Sequence, residues 1–509
     1  MKKKILAIVL CASFYGFSSA DLQSDKNEQL FVNDYENILG TSLEIKIAAA
    51  DDGQAAKGEI TALDEIERLN KVLSGYDLNS EFRRWMNAPK APLKISRELF
   101  DVLSLFEEWR IKSGGALDAS AETINSVWRN AAKHNRIPSA IEISTALSLV
   151  QERHYILNAE NQTAFRTSNA PLMLNSFTKS YIMNKATNAA LAISGVYGIV
   201  LNIGGDIVIR GKHTEEVDVC NPKADAENDP PMSRLQLQNK TIATSGNYRR
   251  GELIGGKWYS HIVDPRTGKP AGSVISATVI TNNSVDAGAL ATALNVLSPE
   301  EGKKLVSTVP DVEFMLITAD GKRIQSDGWK KYEIVDVNQK ANLVTIAKSD
   351  KLWDPGYELA INLELATLEG IRVHRPFVAV WVVDANKKPV KQIALWYNKP
   401  RWLDEMSAWY ATYYDTFASE NNSVSSTTSA TRSAGKYTLK WDGKDDKGNF
   451  VKQGVYTIYI EVAREHGSHQ LMTQEIDVKT MQHINIQGNP EVAAASLDYR
   501  KKSDGNKQR

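Results

Sequence analysis

Cysteine is almost absent from this chain of 509 residues, which has only two, at positions 11 and 220. A framework of several disulfides is therefore excluded. An excess of charge of one sign is also missing, since 61 Lys and Arg balance 61 Asp and Glu. This balance argues against nucleic acid or an anionic membrane as the partner. The apolar run at residues 5–17 is too short to span a bilayer, so we expect no membrane span.

The N-terminus has the pattern of an export signal. Three lysines at positions 2–4 precede the apolar run, and Ser18-Ser19-Ala20 supplies the small residues that a signal peptidase needs. We predict a signal peptide at residues 1–20, after which Cys220 is the only cysteine left. A large exported protein without internal disulfides is typical of a bacterial periplasm, so we expect a periplasmic, soluble protein.

The remaining chain divides into zones of different texture. Residues 21–335 alternate helix and strand patterns, with helical apolar spacing at residues 63–73 and 96–111 and two buried strands at residues 200–209. A polar linker is predicted at residues 336–351, a β-rich domain at 352–482 and a disordered tail at 483–509. The fold class predicted is α+β: a mixed-sheet domain with flanking helices, followed by an Ig-like β-sandwich.

One segment of the first zone carries the densest chemistry. The run from His261 to Gly268 combines an imidazole, the carboxylate of Asp264, a fixed turn at Pro265 and a glycine. His261 can present a base or donor at the mouth of such a loop. A rigid hairpin with a solvent-exposed histidine is the alternative, and local chemistry alone leaves the two interpretations equally weighted.

Three further blocks in this zone could contribute to the same site. They are Gly114-Gly115-Ala116-Leu117-Asp118, Leu201-Asn202-Ile203-Gly204-Gly205-Asp206, and the helix entry from Asp286 to Leu294. Glycine pairs at a helix start or between strands admit close approach of a phosphate or of another backbone. Each block could also be a simple connection, but four of them together favour a ligand site.

In the β-rich zone, acidic and histidine residues carry less weight. Asp442, Asp445 and Asp446 could bind calcium, but the calcium-loop pattern with its closing glutamate is absent, so turn formation is the favoured interpretation. His374 and His466 lack a second ligand at a clear spacing and are interpreted as structural.

The order of the blocks in the first zone resembles the ApbE family, the FAD:protein FMN transferases. The resemblance runs over residues 37–334, and it is strongest where Ile242-Ala243-Thr244-Ser245-Gly246-Asn247-Tyr248 is followed by His261-Ile262-Val263-Asp264-Pro265-Arg266-Thr267-Gly268. The β-rich zone is similar to an uncharacterised exported β-sandwich family seen beside or fused to such proteins, which suggests a docking role.

The resemblance implies a definite reaction. FAD is cleaved at its pyrophosphate, FMN is attached to a Thr or Ser hydroxyl of an exported flavoprotein, and AMP is released, with magnesium on the pyrophosphate. His261 and Asp264 are implied to handle the proton of the acceptor hydroxyl. The residues implied for FAD are Tyr76, Ala116, Leu117, Asp118, Lys179, Ser245, Gly246 and Ile262, and those for Mg²⁺ are Asp286, Thr292, Ser176 and Ala291.

Two departures from the family pattern set the alternatives. Where the family has Asp-Leu-Gly-Gly-Ile-Ala-Lys-Gly-Tyr, this chain has Met173-Leu174-Asn175-Ser176-Phe177-Thr178-Lys179-Ser180-Tyr181. In addition, Gly288 occupies the position where the family has its metal-binding Asp. An active transferase would then use Asp286, two residues earlier, as a displaced metal ligand. The alternatives are a catalytically degenerate flavin-binding or partner-docking module, and a two-part protein whose main role lies in the β-rich zone. We favour the transferase because the His261 block is complete.

Overall fold

A computed structural model describes residues 29–247, 250–334, 351–366, 376–397, 400–419, 435–464 and 468–502. The predicted signal peptide and all but one residue of the predicted linker lie outside these ranges, as do His374 and His466. Within the described residues, no helix has the length and apolar content needed to cross a membrane.

The helices of the described residues are α1 (Asp52–Leu73), α2 (Glu81–Asn87), α3 (Arg97–Lys112), α4 (Ala121–Lys133), α5 (Ala140–Val150), α6 (Thr178–Leu191), α7 (Ser284–Val296), α8 (Pro299–Val306) and α9 (Ser407–Ser419), with 3₁₀ turns at Asp327–Lys331 and Pro400–Glu405. The strands before the linker are β1 (Gln29–Ile38), β2 (Thr41–Ala49), β3 (Leu93–Lys94), β4 (Tyr155–Asn158), β5 (Thr163–Arg166), β6 (Val196–Ile203), β7 (Asp206–Gly211), β8 (Thr214–Val219), β9 (Ser233–Gln238), β10 (Thr241–Gly246), β11 (Gly251–Ile254), β12 (Lys257–Ser260), β13 (Val263–Asp264), β14 (Lys269–Pro270), β15 (Val274–Thr281), β16 (Glu313–Thr318) and β17 (Arg323–Gln325). The strands after it are β18 (Tyr357–Leu365), β19 (Phe377–Asp384), β20 (Pro389–Trp396), β21 (Gly435–Trp441), β22 (Val455–Ala463), β23 (His469–Asp477), β24 (Gln482–Ile486) and β25 (Val492–Lys501).

An eight-stranded sheet organises the first domain, in the order β1-β2-β6-β7-β10-β15-β16-β17. Its strand pairs are all antiparallel, so the α+β class is confirmed while the mixed sheet that we expected is corrected. One of these pairs has a local cause: Gly204 and Gly205, with φ of +59° and +94°, turn β6 directly into β7. A two-residue turn of this kind joins antiparallel neighbours.

The two faces of this sheet are covered differently. On one face, Leu43, Ile45 and Ile47 alternate along β2 and are buried with residues of α1, α6 and α7. On the other face, the hairpin β8–β9 covers Val200 and Ile209. Because both faces are covered, the open positions of the sheet are its strand ends.

The second domain consists of two four-stranded antiparallel sheets, ordered β21-β18-β25-β24 and β20-β19-β22-β23. Trp353, Trp396 and Trp441 are buried in the core between them. Helix α9 lies outside the second sheet, where its Trp409 is buried with Trp381. The predicted β-sandwich is therefore confirmed.

The predicted disordered tail at residues 483–509 is wrong for most of its length. Strands β24 and β25 belong to the first sheet of the sandwich, and only residues 503–509 lie outside the described ranges. This segment has an alternating apolar pattern, since Ala495, Leu497 and Tyr499 are all buried in the core. Such alternation is typical of a half-buried strand.

A loop of the first domain holds the edge of the sandwich. In the connection between β8 and β9, the Glu227 amide donates to the Thr438 carbonyl at 2.8 Å. Asn228 then makes two bonds to Lys440 of β21, donating from Nδ2 to its carbonyl at 2.7 Å and accepting its amide at 2.9 Å. The amide side chain of Asn228 thus pairs with an edge strand as a neighbouring strand would.

Candidate active site

A large cleft of about 3490 Å³ opens at one edge of the eight-stranded sheet. The turns β1–β2 and β6–β7, the end of β10 and the first turn of α6 all border it. Residues of the sandwich, among them Lys436 and Lys501, also border this cleft. The four sequence blocks meet here: two lie at strand ends of the sheet, one lies in the connection between α3 and α4, and one lies in α7.

His261 enters this cleft with one ring nitrogen already engaged. Its Nδ1 lies 2.9 Å from the carbonyl oxygen of Arg250. A carbonyl oxygen only accepts hydrogen bonds, so Nδ1 carries the proton and Nε2 keeps its lone pair. Burial, and then the nearby Arg250 guanidinium, lower the pKa of His261. The ring is therefore neutral at pH 7 and can act as a base through Nε2.

Asp264 does not contact His261 by a hydrogen bond, although both were predicted to handle the same proton. Asp264 Oδ1 accepts from the Arg266 amide and from Nε, both at 2.9 Å, and Oδ2 accepts from Nη2 at 3.0 Å. The turn is also tied to α4, since Trp128 donates to the Gly268 carbonyl at 2.9 Å. The structure thus gives Asp264 a part in shaping the turn that follows His261.

The residues predicted for FAD contact all border the cleft. Tyr76 stands at the rim with 76% of its surface exposed, and its hydroxyl accepts from Asn175 Nδ2 at 2.8 Å. Asp118 is buried, and its carboxylate accepts from Arg110 Nε at 2.6 Å and from the Ser120 amide at 2.7 Å. Because both oxygens are engaged, Asp118 holds the loop containing Ala116 and Leu117 in place.

The other predicted contact residues lie around the strand ends. Lys179 Nζ forms an ion pair with Asp206 at 2.8 Å and donates to the Ile203 carbonyl at 3.2 Å. The Ser245 carbonyl accepts from Asn295 Nδ2 at 3.2 Å. Gly246 and Ile262 complete this wall of the cleft.

The first turn of α6 offers a site for an anion that the sequence interpretation missed. Among the residues that the structure describes, this N-terminus has no side-chain cap, and the buried hydroxyls of Thr178 and Ser180 have no hydrogen-bond partner. Free N–H groups and the helix dipole favour an anion at such a position. Thr178 and Lys179 both border the cleft. A threonine at the uncapped start of a helix was the available signal.

The four residues predicted for magnesium do not form one ligand set. Ser176, Ala291 and Thr292 border the cleft, and Thr292 Oγ1 lies 3.1 Å from the Gly288 carbonyl and 3.4 Å from that of Ser176. Asp286 is not in the cleft lining. Burial raises its pKa, and its charged neighbours are Lys112 and Glu108 of α3.

No group of three His, Cys, Asp or Glu in the described ranges could hold a metal ion. Magnesium is held in proteins through one or two carboxylates together with substrate phosphates, whereas Thr292 and the two carbonyls supply only neutral oxygens. The described residues therefore do not fit a magnesium ion held by this protein, and the displaced role of Asp286 is not supported.

Gly288 leaves no room for the carboxylate that the family pattern has there. A Cβ atom at this position would lie 2.7 Å from Ser180 Oγ and 3.2 Å from the Phe177 Cα. Contacts this short require a neighbour to move. The start of α6 therefore occupies the space beside Gly288.

Curated relatives resemble the first domain along most of their own length. A "FAD:protein FMN transferase" of Klebsiella pneumoniae is 24% identical over 55% of this chain and 87% of its own. One of Escherichia coli is 23% identical over 59% of this chain and 88% of its own.

Solved structures show the same fold. An ApbE protein from Thermotoga maritima superposes with a TM-score of 0.54 and 23% identity, over 60% of this chain and all of its own. The flavin transferase ApbE from Vibrio cholerae gives 0.51 and 21%, over 60% of this chain and 99% of its own.

Two family patterns match the sequence itself. Residues 358–494 match the family described as "Predicted periplasmic protein (DUF2271)", which agrees with the resemblance noted for the β-rich zone. Residues 39–316, more than half of the chain, match the ApbE family. The chain belongs to the ApbE family, and its C-terminal domain matches the DUF2271 family.

Proposed function

We propose that this protein is an exported FAD:protein FMN transferase. It cleaves FAD, attaches FMN through a phosphoester bond to a Thr or Ser of a periplasmic flavoprotein, and releases AMP. The observation that carries the proposal is His261, whose Nδ1–H is bonded to the Arg250 carbonyl, so that Nε2 keeps its lone pair in the cleft. Family membership and the transferase names of the relatives support the same conclusion.

The pyrophosphate of FAD is assigned to the first turn of α6. The uncapped N–H groups and the unpartnered Thr178 hydroxyl supply donors, and Lys179 supplies a positive charge. The glycines at 204 and 205, both at positive φ, allow the β6–β7 turn to approach without side-chain bulk. Tyr76 at the rim offers an exposed aromatic face for the flavin ring.

The chemical step is a phosphoryl-type transfer. The acceptor hydroxyl oxygen forms a bond to the FMN phosphorus, and the bond from that phosphorus to the bridging oxygen breaks, so that AMP leaves with the bridging oxygen. His261 Nε2 takes the hydroxyl proton. Positioning and charge neutralisation do most of the work in such reactions. Because the described residues do not fit a protein-held magnesium ion, no step is assigned to one.

Export is proposed from the predicted signal peptide at residues 1–20. The match of the second domain to a family described as periplasmic agrees with it. The acceptor is then a flavoprotein of the same compartment.

A flavin-binding module without turnover is the second candidate. The neutral oxygens around Thr292 and the closed space beside Gly288 favour it, since both remove the carboxylate that the family pattern places there.

The test is AMP release from FAD by the full chain in the presence of a Thr-containing acceptor peptide, measured by chromatography with and without magnesium. We expect release in the wild type, and a loss of 10²- to 10⁴-fold in His261→Ala, the usual contribution of a general base. Asp286→Ala is the matched control and should retain activity. Flavin binding without AMP release would establish the second candidate instead.

A further inference from the structure

The hairpin β11–β12, which directly precedes His261, has two apolar faces. Its tip turns at Gly255 and Gly256, both at positive φ. One face is used by the fold: Ile254 is buried, and the Tyr259 ring lies 5.1 Å from that of Trp128 in α4. The Gly255 amide also donates to Asn135 Oδ1 at 2.8 Å, which holds the tip to the end of α4.

The opposite face is apolar and exposed. Leu253 and Trp258 are direct cross-strand partners, so their side chains lie on the same face. Leu253 is 63% exposed and Trp258 39% exposed, and both border the cleft. Alternation along a strand normally gives one apolar face and one polar face, so folding does not account for this pair.

The pair is held in a fixed arrangement. Trp258 Nε1 donates to the Asn247 carbonyl at 3.1 Å. Its indole covers Gly251, where a Cβ would lie 2.8 Å from the ring. A large aromatic surface that is already ordered binds a partner at little entropic cost.

The position of the pair identifies its occupant. Trp258 precedes His261 by three residues, at most about 10 Å of extended chain, and Leu253, Trp258 and His261 all border the same cleft. On the proposed function, the acceptor hydroxyl must reach His261 Nε2, so the residues flanking that hydroxyl pass over the hairpin. We propose that Leu253 and Trp258 form the docking surface for the acceptor polypeptide. The surface takes an apolar side chain about three residues from the Thr or Ser that receives FMN.

The test uses synthetic decapeptides that contain one Thr and one Leu among Gly and Gln, with the Leu moved through each position around the Thr. The full chain is incubated with FAD and each peptide, and the FMN-modified peptide is measured by mass spectrometry. We expect kcat/KM to be about tenfold higher, or about 1.4 kcal/mol, when Leu lies about three residues from Thr. Leu253→Ser should remove this preference.

Three controls separate the outcomes. Leu471→Ser, at a comparably exposed leucine of the sandwich, should keep the preference. Direct binding of fluorescent peptides is measured alongside, and AMP release to water reports the proposed function without any acceptor. Position-dependent peptide binding without transfer would keep the docking surface and refute the transferase. Transfer that ignores the Leu position, or a loss of FAD affinity in Leu253→Ser, would refute the docking surface.

Discussion

Gly288 and Ser180 form a pair whose coupling can be measured. The family pattern has Asp at the position of Gly288 and Gly at the position of Ser180. Ser180 Oγ lies where the side chain of residue 288 would begin, 2.7 Å from the added Cβ. The two substitutions therefore exchange occupancy of one space. We predict that Gly288→Asp and Ser180→Gly are strongly non-additive.

The magnitudes follow from the contacts. Gly288→Asp alone inserts a side chain against Ser180 and Phe177, and overpacking of this kind costs about 1–3 kcal/mol. Its gain in helix propensity is only a few tenths of a kcal/mol, too small to compensate. Ser180→Gly alone should be nearly neutral, because the loss of propensity is offset by removal of a buried hydroxyl without a partner. In the double variant the shorter contact disappears, so we expect a coupling energy of about 1–2 kcal/mol.

The assay is calorimetric melting of the wild type, both single variants and the double variant. A change of 1 kcal/mol shifts the melting temperature of a domain of this size by about 2–4 °C. Gly272→Asp combined with Ser180→Gly is the matched control cycle, since nothing lies within 4 Å of a Cβ at Gly272. Additivity of Gly288→Asp and Ser180→Gly within 0.5 kcal/mol would refute the shared-space explanation.

Asp286→Asn should leave flavin transfer and its magnesium dependence unchanged. Because burial raises the pKa of Asp286, the folded state binds this proton more tightly than the unfolded state does, and the ionised carboxylate lowers the free energy of unfolding. The variant should therefore melt higher at pH 7 by calorimetry, and this gain should vanish below the ordinary Asp pKa of about 3.9. For His261, the lowered pKa predicts that the acid limb of the pH–rate profile lies below about 6.5, and a limb above 7 would contradict the assigned neutral base. Asn228→Ala should speed amide hydrogen exchange at Lys440, because it removes both bonds to that residue, while exchange in β19 stays unchanged.

Local sequence signals predicted the cleft well. The glycine pair at 204–205 marked a strand turn, and the helical apolar spacing at residues 96–111 matches α3, before which the Ser96 hydroxyl accepts the Leu99 amide at 3.2 Å. Such signals depend on backbone geometry within a few residues, so they can be interpreted without knowing the tertiary structure. The sheet topology then places the strand-end blocks together, while the α3–α4 connection and α7 reach the cleft by helix packing.

Side-chain partners could not be predicted in the same way. The carboxylate of Asp118, a predicted flavin contact, accepts from Arg110 and Ser120. Asp264 was predicted to share the handling of one proton with His261, and its carboxylate binds Arg266. A carboxylate selects its partner by distance and charge in the folded chain, which spacing in the sequence does not specify. The buried strand β25 was missed for a different reason: the polar residues between and after its apolar positions give this segment a composition typical of a disordered tail.

The departures from the family pattern share one location, and this bears on whether the cleft is functional. Met173 lies against Gly75, where a Cβ would meet its sulfur at 2.3 Å, and the Phe177 ring stacks on Phe106 at 4.3 Å. Ser180 closes the space beside Gly288 in the same way. A cleft that had lost its role would be expected to accumulate unrelated changes and voids, since nothing would select for compensation. Here Met173, Phe177 and Ser180 are each packed against a neighbour, while the Arg250–His261 contact is intact. On the proposed function, the first turn of α6 neutralises the pyrophosphate at this altered wall, and His261 remains the base.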